Sequence, residues 1–179
     1  MITRHSIVEK PVSSVRPELC SGMHSIKKPR AVWRDVSRAS QKRRMIGTVI
    51  PPGWVTGNSL HVAYFRDGNL QRTMAMHAIL SSFVLEVQVR SRLATGHMSL
   101  GIVRQANVPS LNSSVVEVLA GVAEKALLQG DDNPASDAVE IAVARMYGLD
   151  RASYASILEQ FPRIGDDHRA RLTSAAAWA

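Results

Sequence analysis

Apolar and polar residues alternate with a period of two in short stretches of the first third of the chain, and with a period of three to four over most of the remainder. The first pattern marks strands and the second marks helices, because side chains point to alternate sides of a strand and recur about every 3.6 residues on a helix. Ala31-Val32-Trp33 is strand-like, and Met45 to Ile50 is rich in β-branched residues. Asn58 to Phe65 sets Leu60, Val62 and Tyr64 against His61, Ala63 and Phe65, which reads as a third strand buried on both faces. Arg34 to Gln41 is a polar connection between the first two strands. Pro51-Pro52-Gly53 stops the second, because proline has no N–H for the ladder and glycine permits a sharp reversal.

Gln71 to Leu93 reads as one long helix, with Met76, Ile79, Leu80, Phe83, Val84 and Val87 at helical spacing. Ala94-Thr95-Gly96-His97 breaks it, and Leu100 to Val103 forms a short strand or a folded loop. Ser113 to Leu128 is a second helix, with Val115, Val118, Leu119, Val122 and Ala126 inward and Asn112 or Ser113 as its cap. Gln129 to Pro134 is a polar linker. A helical hairpin follows, made of Ser136 to Tyr147, a stop at Gly148, and an Asp150-capped helix through Phe161. A last amphipathic segment runs from Asp167 to Trp178. Residues 1 to 30, interrupted by Pro11, Pro17, Gly22 and Pro29, read as an extended lead-in. The pattern predicts an α+β fold in which a small mixed or antiparallel sheet packs against a long helix and a helical tail follows. The expected divisions are a lead-in over 1–30, a domain over 31–129 and a tail over 130–179.

With 179 residues, 45% of them apolar and 21% charged, the chain suits one domain with a real core plus a helical appendage, and wholesale disorder is excluded. The single Cys20 excludes an intramolecular disulfide and fits a reducing compartment. No apolar run follows Met1 to Lys10, and none approaches the roughly 20 residues that span a bilayer, so a cytoplasmic protein is expected.

Charge changes the picture more. Lys27, Lys28, Arg30, Arg34, Arg38, Lys42, Arg43 and Arg44 fall within eighteen residues beside one acid, Asp35. The chain has 22 Lys and Arg against 15 Asp and Glu, so the rest of it is balanced at 14 against 14. A localised basic face is expected, either a surface for a polyanion such as nucleic acid or a solvated lysine- and arginine-rich surface.

Catalytic chemistry finds little purchase. The six histidines, His5, His24, His61, His77, His97 and His168, show no HxxxH or HExxH spacing, so no metal site is expected and they read as surface or strand residues. Gly96 and Gly101 lack the lysine and hydroxyl of a phosphate loop, and Ser59 sits in no GxSxG elbow. Asp35 is a lone acid among bases, insufficient as a nuclease carboxylate; it is expected to pair with Arg34, Arg38 or Arg44.

The run Val32-Trp33-Arg34-Asp35-Val36-Ser37-Arg38-Ala39-Ser40, then Arg43-Arg44-Met45-Ile46-Gly47-Thr48-Val49-Ile50-Pro51-Pro52-Gly53, then Gly57-Asn58-Ser59-Leu60, goes beyond composition. It resembles the C-terminal target-recognition region, with a TaqI-like specificity domain, of adenine-specific DNA methyltransferases of type II restriction-modification systems. The likeness continues through Phe83 to Ser91 and Leu93 to Leu100 to Val108-Pro109, covering about residues 30 to 109, and more weakly through Ala144 to Leu149. The family's catalytic motifs have no counterpart here: Asn133-Pro134-Ala135-Ser136 lacks the second proline and the aromatic residue of an Asn-Pro-Pro-aromatic motif. The resemblance therefore implies a DNA-recognition module that is non-catalytic alone and needs no cofactor. S-adenosylmethionine would bind a catalytic domain absent from this chain, and double-stranded DNA and a methyltransferase or nuclease chain are the implied partners.

Under that reading Arg34, Arg38, Lys42, Arg43 and Arg44 contact DNA, the lysine through phosphate and the arginines through phosphate or guanine. Neutralising about four phosphates would give a salt slope of about −3.6. Gln41, Asn58, Gln105 and Asn107 are either adenine readers or turn caps. The loop from Thr95 to Ser99, with His97 and Ser99, either enters a groove or is a helix stop with Gly96 near the C′ position. Trp33 is expected in the core, with base stacking as its alternative, and Trp54 remains open between the two. The competing function is a structural or protein-interaction subunit, or a remnant, whose basic face is incidental.

Overall fold

The computed structural model describes residues 24–38, 40–129 and 133–179. Most of the expected lead-in, with Cys20, and the middle of the polar linker lie outside the described residues. After a 3₁₀ turn at His24–Lys27 come three strands, β1 (Arg30–Arg34), β2 (Gly47–Ile50) and β3 (Leu60–Ala63). They form an antiparallel sheet with β1 in the centre, in the order β2-β1-β3. Trp33 sits opposite Gly47 on one side and His61 on the other. The sheet side carrying Ala31 and Trp33 lies in the main core with Met45, Ala75, Ala78, Ile79, Leu85, Val89 and Met98. The α+β class and the helical tail hold, and the sheet is purely antiparallel.

Two expectations about strands and loops change. In β3 only Leu60 is buried; His61, Val62 and Ala63 are half-exposed, because β3 is an edge strand with one neighbour, and Tyr64 is exposed. Leu100 to Val103 is neither strand nor loop but a one-turn helix, α3 (Leu100–Val103).

The expected single helix over 71 to 93 is two helices, α1 (Leu70–Leu80) and α2 (Phe83–Arg90). Asn69 caps the first through the Arg72 N–H at 2.9 Å. Two serines make the break, because their hydroxyls compete for backbone groups that would otherwise continue the ladder. Ser81 Oγ donates to the His77 carbonyl at 2.8 Å. Ser82 is extended, donates to the Ile79 carbonyl at 2.8 Å and accepts from the Leu85 N–H, so it ends one helix and caps the next.

The backbone groups freed at this break are met from elsewhere in the chain. Arg43 donates to the Ser81 carbonyl and to Glu140, and Glu140 accepts the Phe83 N–H at 3.0 Å and the Tyr154 hydroxyl at 3.0 Å. The Arg43 guanidinium lies 3.6 Å from the centre of the Phe83 ring. A second buried acid, Glu86, accepts the Arg44 and Met45 N–H groups at 2.7 and 3.3 Å and Arg90 Nε at 2.7 Å. Two acids in helical apolar runs thus fasten the β1–β2 connection to the helices.

The long helix α4 (Ser113–Gln129) packs on α1 and on α5 (Pro134–Met146). Asn112 caps α4 through the Val115 N–H at 2.9 Å. Asn133 and Ser136 form a reciprocal capping box at the start of α5, with Pro134 in the first turn. Gly148 ends α5 at φ +71°, and the Gly148 and Leu149 N–H groups return to the Arg145 and Ala144 carbonyls. This is a Schellman stop, which a side chain at that φ would strain. Asp150 then caps α6 (Arg151–Glu159). The amphipathic segment expected over Asp167 to Trp178 is two short helices, α7 (Asp166–Leu172) and α8 (Ala175–Trp178). Thr173 and Ser174 divide them, the first bonding back to Arg169 and the second capping α8. Tyr154, Leu158, Phe161, Ile164 and Leu172 from this region close a second core cluster over Phe83, Val84 and Ala144.

Candidate nucleic-acid interface

Three segments far apart in the sequence meet where β1 ends. The Arg34 N–H bonds to the Ile46 carbonyl at 3.0 Å, the Asp35 N–H to Ser59 at 2.9 Å, and the Ser37 N–H to Gly96 at 3.0 Å. Val36 pairs with His97 in an isolated antiparallel bridge, and the Met98 N–H returns to the Asp35 carbonyl. Residues 34–38 are thereby held between the segment leading into β3 and the loop before α3. Gly96 serves this approach: a Cβ there would stand 3.1 Å from the Ser37 carbonyl oxygen. It is not the stop of the preceding helix, which ends at Arg90 with Ser91 as its cap.

Trp33 fixes the same loop from inside. The residue is 1% exposed, as expected of a core residue, and its indole N–H donates to the Met98 carbonyl at 2.9 Å. The indole also lies 5.6 Å, centroid to centroid, from the His61 ring.

Asp35 does not pair with an arginine. Its carboxylate accepts His97 Nδ1 at 2.8 Å and His61 Nε2 at 2.9 Å. The reason is strand geometry: adjacent residues of an extended chain point to opposite sides, so Arg34 leaves on the other side from Asp35. Trp33 and Asp35 share a side, and His61 stands opposite Trp33 in the register. Hydrogen bonds from His97 and then His61 hold the Asp35 carboxyl below its ordinary value of 3.8, with burial acting the other way. A carboxylate lowered by folding contributes stability above its ordinary value and loses that contribution as pH falls through the lower folded value. Protection of the Ser37 and Met98 amides from hydrogen exchange, normalised for intrinsic rate, is therefore expected to fall on acidification below about pH 4. In Asp35→Asn that fall should vanish; an unchanged acid profile in the variant would remove Asp35 as its source.

Around this clamp, Arg34 is half-buried, Arg38 and Asn58 are exposed, and the His97 side chain is 60% exposed. Among the described residues the Arg34, Arg38 and Asn58 side chains make no hydrogen bond, and the Arg38 N–H donates to Gln41 Oε1 at 3.0 Å. Ser99 stands at the edge of the loop, but its hydroxyl caps α3 by accepting from the Ile102 N–H at 3.4 Å.

Most of the rest of the basic stretch does not share this surface. Arg43 is turned into the protein on Glu140. Burial works against its charge, but the carboxylates of Glu140 and Glu86 outweigh it and hold the guanidinium above its ordinary value. Lys42 Nζ lies 3.0 Å from His168 Nδ1 in the helical tail, and His168 and Arg171 both reach Asp137, at 3.0 and 2.7 Å. Arg44 donates to the Thr95 carbonyl at 3.3 Å, bracing the loop that carries His97. Arg30 is buried and donates to the Trp54 carbonyl, while Lys28 donates to the Arg66 carbonyl. The single basic face expected from the sequence is thus divided, with Lys27 and Arg38 exposed, Arg30 buried and Arg43 partly buried with its head turned inward.

The pairing of His61 and His97 with Asp35, and the buried acids Glu86 and Glu140, escaped the sequence reading. A signal for the acids was present: each interrupts an apolar helical run, and Glu86 stands four residues before Arg90. Among the described residues no group of three or more His, Cys, Asp or Glu side chains is arranged to hold a metal ion. No helix of the described residues is long and apolar enough to cross a membrane. Comparison with protein-family models, curated proteins and solved structures returns no match.

Proposed function

We propose that this chain is a sequence-specific duplex-DNA recognition module of a restriction-modification adenine-specific methyltransferase, supplying recognition while methyl transfer resides on another domain or chain. One observation carries the reading: backbone bonds clamp together the three segments that carry Arg34 and Arg38, Asn58, and His97, and so form one rim. Recognition needs cations that position the phosphate backbone and directional groups that read base edges, and this rim combines both. The motif resemblance over residues 30 to 109 points the same way. Lys42 and Arg43 are removed from the contact set, because their heads are engaged in the protein.

The test is anisotropy titration of the full chain against duplexes selected from a random pool, across salt. Arg34→Glu/Arg38→Glu should weaken binding at least about 100-fold near 0.1 M salt and flatten the salt slope by about 2, the loss of two phosphate contacts. Arg163→Glu, in the exposed segment before α7, should change affinity less than about threefold. Equal effects of the two changes, or no selected motif, would defeat the reading. A second reading, a protein-interaction subunit, draws on Val118 and Leu128 of α4, 53% and 82% exposed. It predicts partner binding that survives the Arg34/Arg38 reversal.

A further inference from the structure

Asp35 does more than join two loops, because an ionised carboxylate only accepts hydrogen bonds. Each imidazole nitrogen facing it must therefore carry a proton. His97 meets Asp35 through Nδ1, at 2.8 Å, so its neutral ring is the Nδ1–H tautomer and Nε2 holds an unshared pair. His61 meets Asp35 through Nε2, at 2.9 Å, so its free nitrogen is Nδ1. The two rings differ in access: His97 is 60% exposed in its side chain, while His61 is 26% exposed and lies against Trp33. Only His97 is poised to present its free nitrogen outward. Its backbone is fixed as well, by the bridge to Val36, the return of Met98 to Asp35 and the Trp33 bond to Met98.

A fixed acceptor on a loop clamped to the segment that carries Arg34 and Arg38 has a definite complement on DNA. In the major groove the base-edge donors are the exocyclic amines, N6 of adenine and N4 of cytosine. Arginine and lysine cannot read them, since both only donate. We infer that His97, oriented by Asp35 as a positioning residue, is a specificity-determining reader that accepts a hydrogen bond through Nε2 from an exocyclic base amine. This rests on the DNA-recognition reading and names the base chemistry that its rim selects.

The experiment has two arms on the full chain. Nitrogen-15 spectra of the histidine rings give the tautomer directly: the neutral His97 ring is expected with its proton on Nδ1, and a proton on Nε2 overturns the inference. Selection from a random duplex pool is then run for the wild type and for His97→Ala, with thermal melting to check that the exposed substitution leaves the fold intact. The wild type should prefer adenine or cytosine at one position, and His97→Ala should lose that preference by roughly five- to tenfold while the rest of the motif stands. Deleting the amine, with purine in place of adenine or 2-pyrimidinone in place of cytosine, distinguishes the two bases. Amine loss should cost the wild type about as much as His97→Ala does, and cost that variant nothing further. A motif unchanged in His97→Ala, or additive losses, overturns this inference alone. A wild type that selects no motif overturns the DNA reading and this inference with it.

Discussion

Glu140→Ala is expected to destabilise the protein by about 3–5 kcal/mol, because it leaves a largely buried guanidinium without its carboxylate partner. Glu140 is 2% exposed and holds three donors: Arg43, the Phe83 N–H and the Tyr154 hydroxyl. Burial, together with the Glu140 charge, pushes the Tyr154 phenol well above its ordinary range, so it remains a donor throughout physiological pH. Removing the carboxylate orphans a helix N-terminal N–H, a hydroxyl and a cation at once. Urea denaturation followed by circular dichroism measures the loss, and a cost under about 1 kcal/mol would place the carboxylate in water. Arg43→Met added to Glu140→Leu should recover part of the loss, since an apolar pair need not be desolvated. For a domain stable by about 5–15 kcal/mol, the single variant is close to the threshold of folding.

Trp33→Ala should cost a comparable 3–5 kcal/mol or so, for the largest fully buried side chain of the core is lost and a cavity is left beneath the rim. The informative companion is Trp33→Phe. It keeps an aromatic ring but deletes the donor to the Met98 carbonyl, which should cost roughly 1–3 kcal/mol. Amide exchange at His97 and Met98 should rise in Trp33→Phe more than exchange in α4. If exchange rises uniformly, or not at all, the indole is only filling space and does not fix the loop.

The periodic elements were legible because each announces itself within a few residues. Asn58 to Phe65 alternates, Ser113 to Leu128 repeats at helical spacing, and Gly148 and Asp150 stop and start helices by local backbone chemistry. The break at Ser81-Ser82 was not legible, since Ile79, Leu80, Phe83, Val84 and Val87 keep the helical rhythm across it. What satisfies the break lies 38 residues before Ser81 and 57 after Phe83. The basic stretch failed for a related reason. Composition counts charges without their directions: Arg43 enters the protein toward Glu140, while its neighbour Arg44 reaches the Thr95 carbonyl at the rim. At the site, Arg34, Arg38, Asn58 and His97 were each nameable from residue type. The clamp that gathers them, and the histidines on Asp35, depend on register and on a bridge between residues 61 apart.

Arg43 and Glu140 are separated by 97 residues, and synthesis runs from the N-terminus at about 5–20 residues per second. A ribosome therefore makes the arginine roughly 5–20 s before the glutamate that neutralises it inside the protein. Until α5 emerges, closing the core over the β1–β2 connection would bury the Arg43 cation without its paired carboxylate, so that connection is expected to stay solvated on the nascent chain. The acid is therefore expected to set the order of assembly, with the sheet and its rim forming early and the final packing waiting for the C-terminal helices.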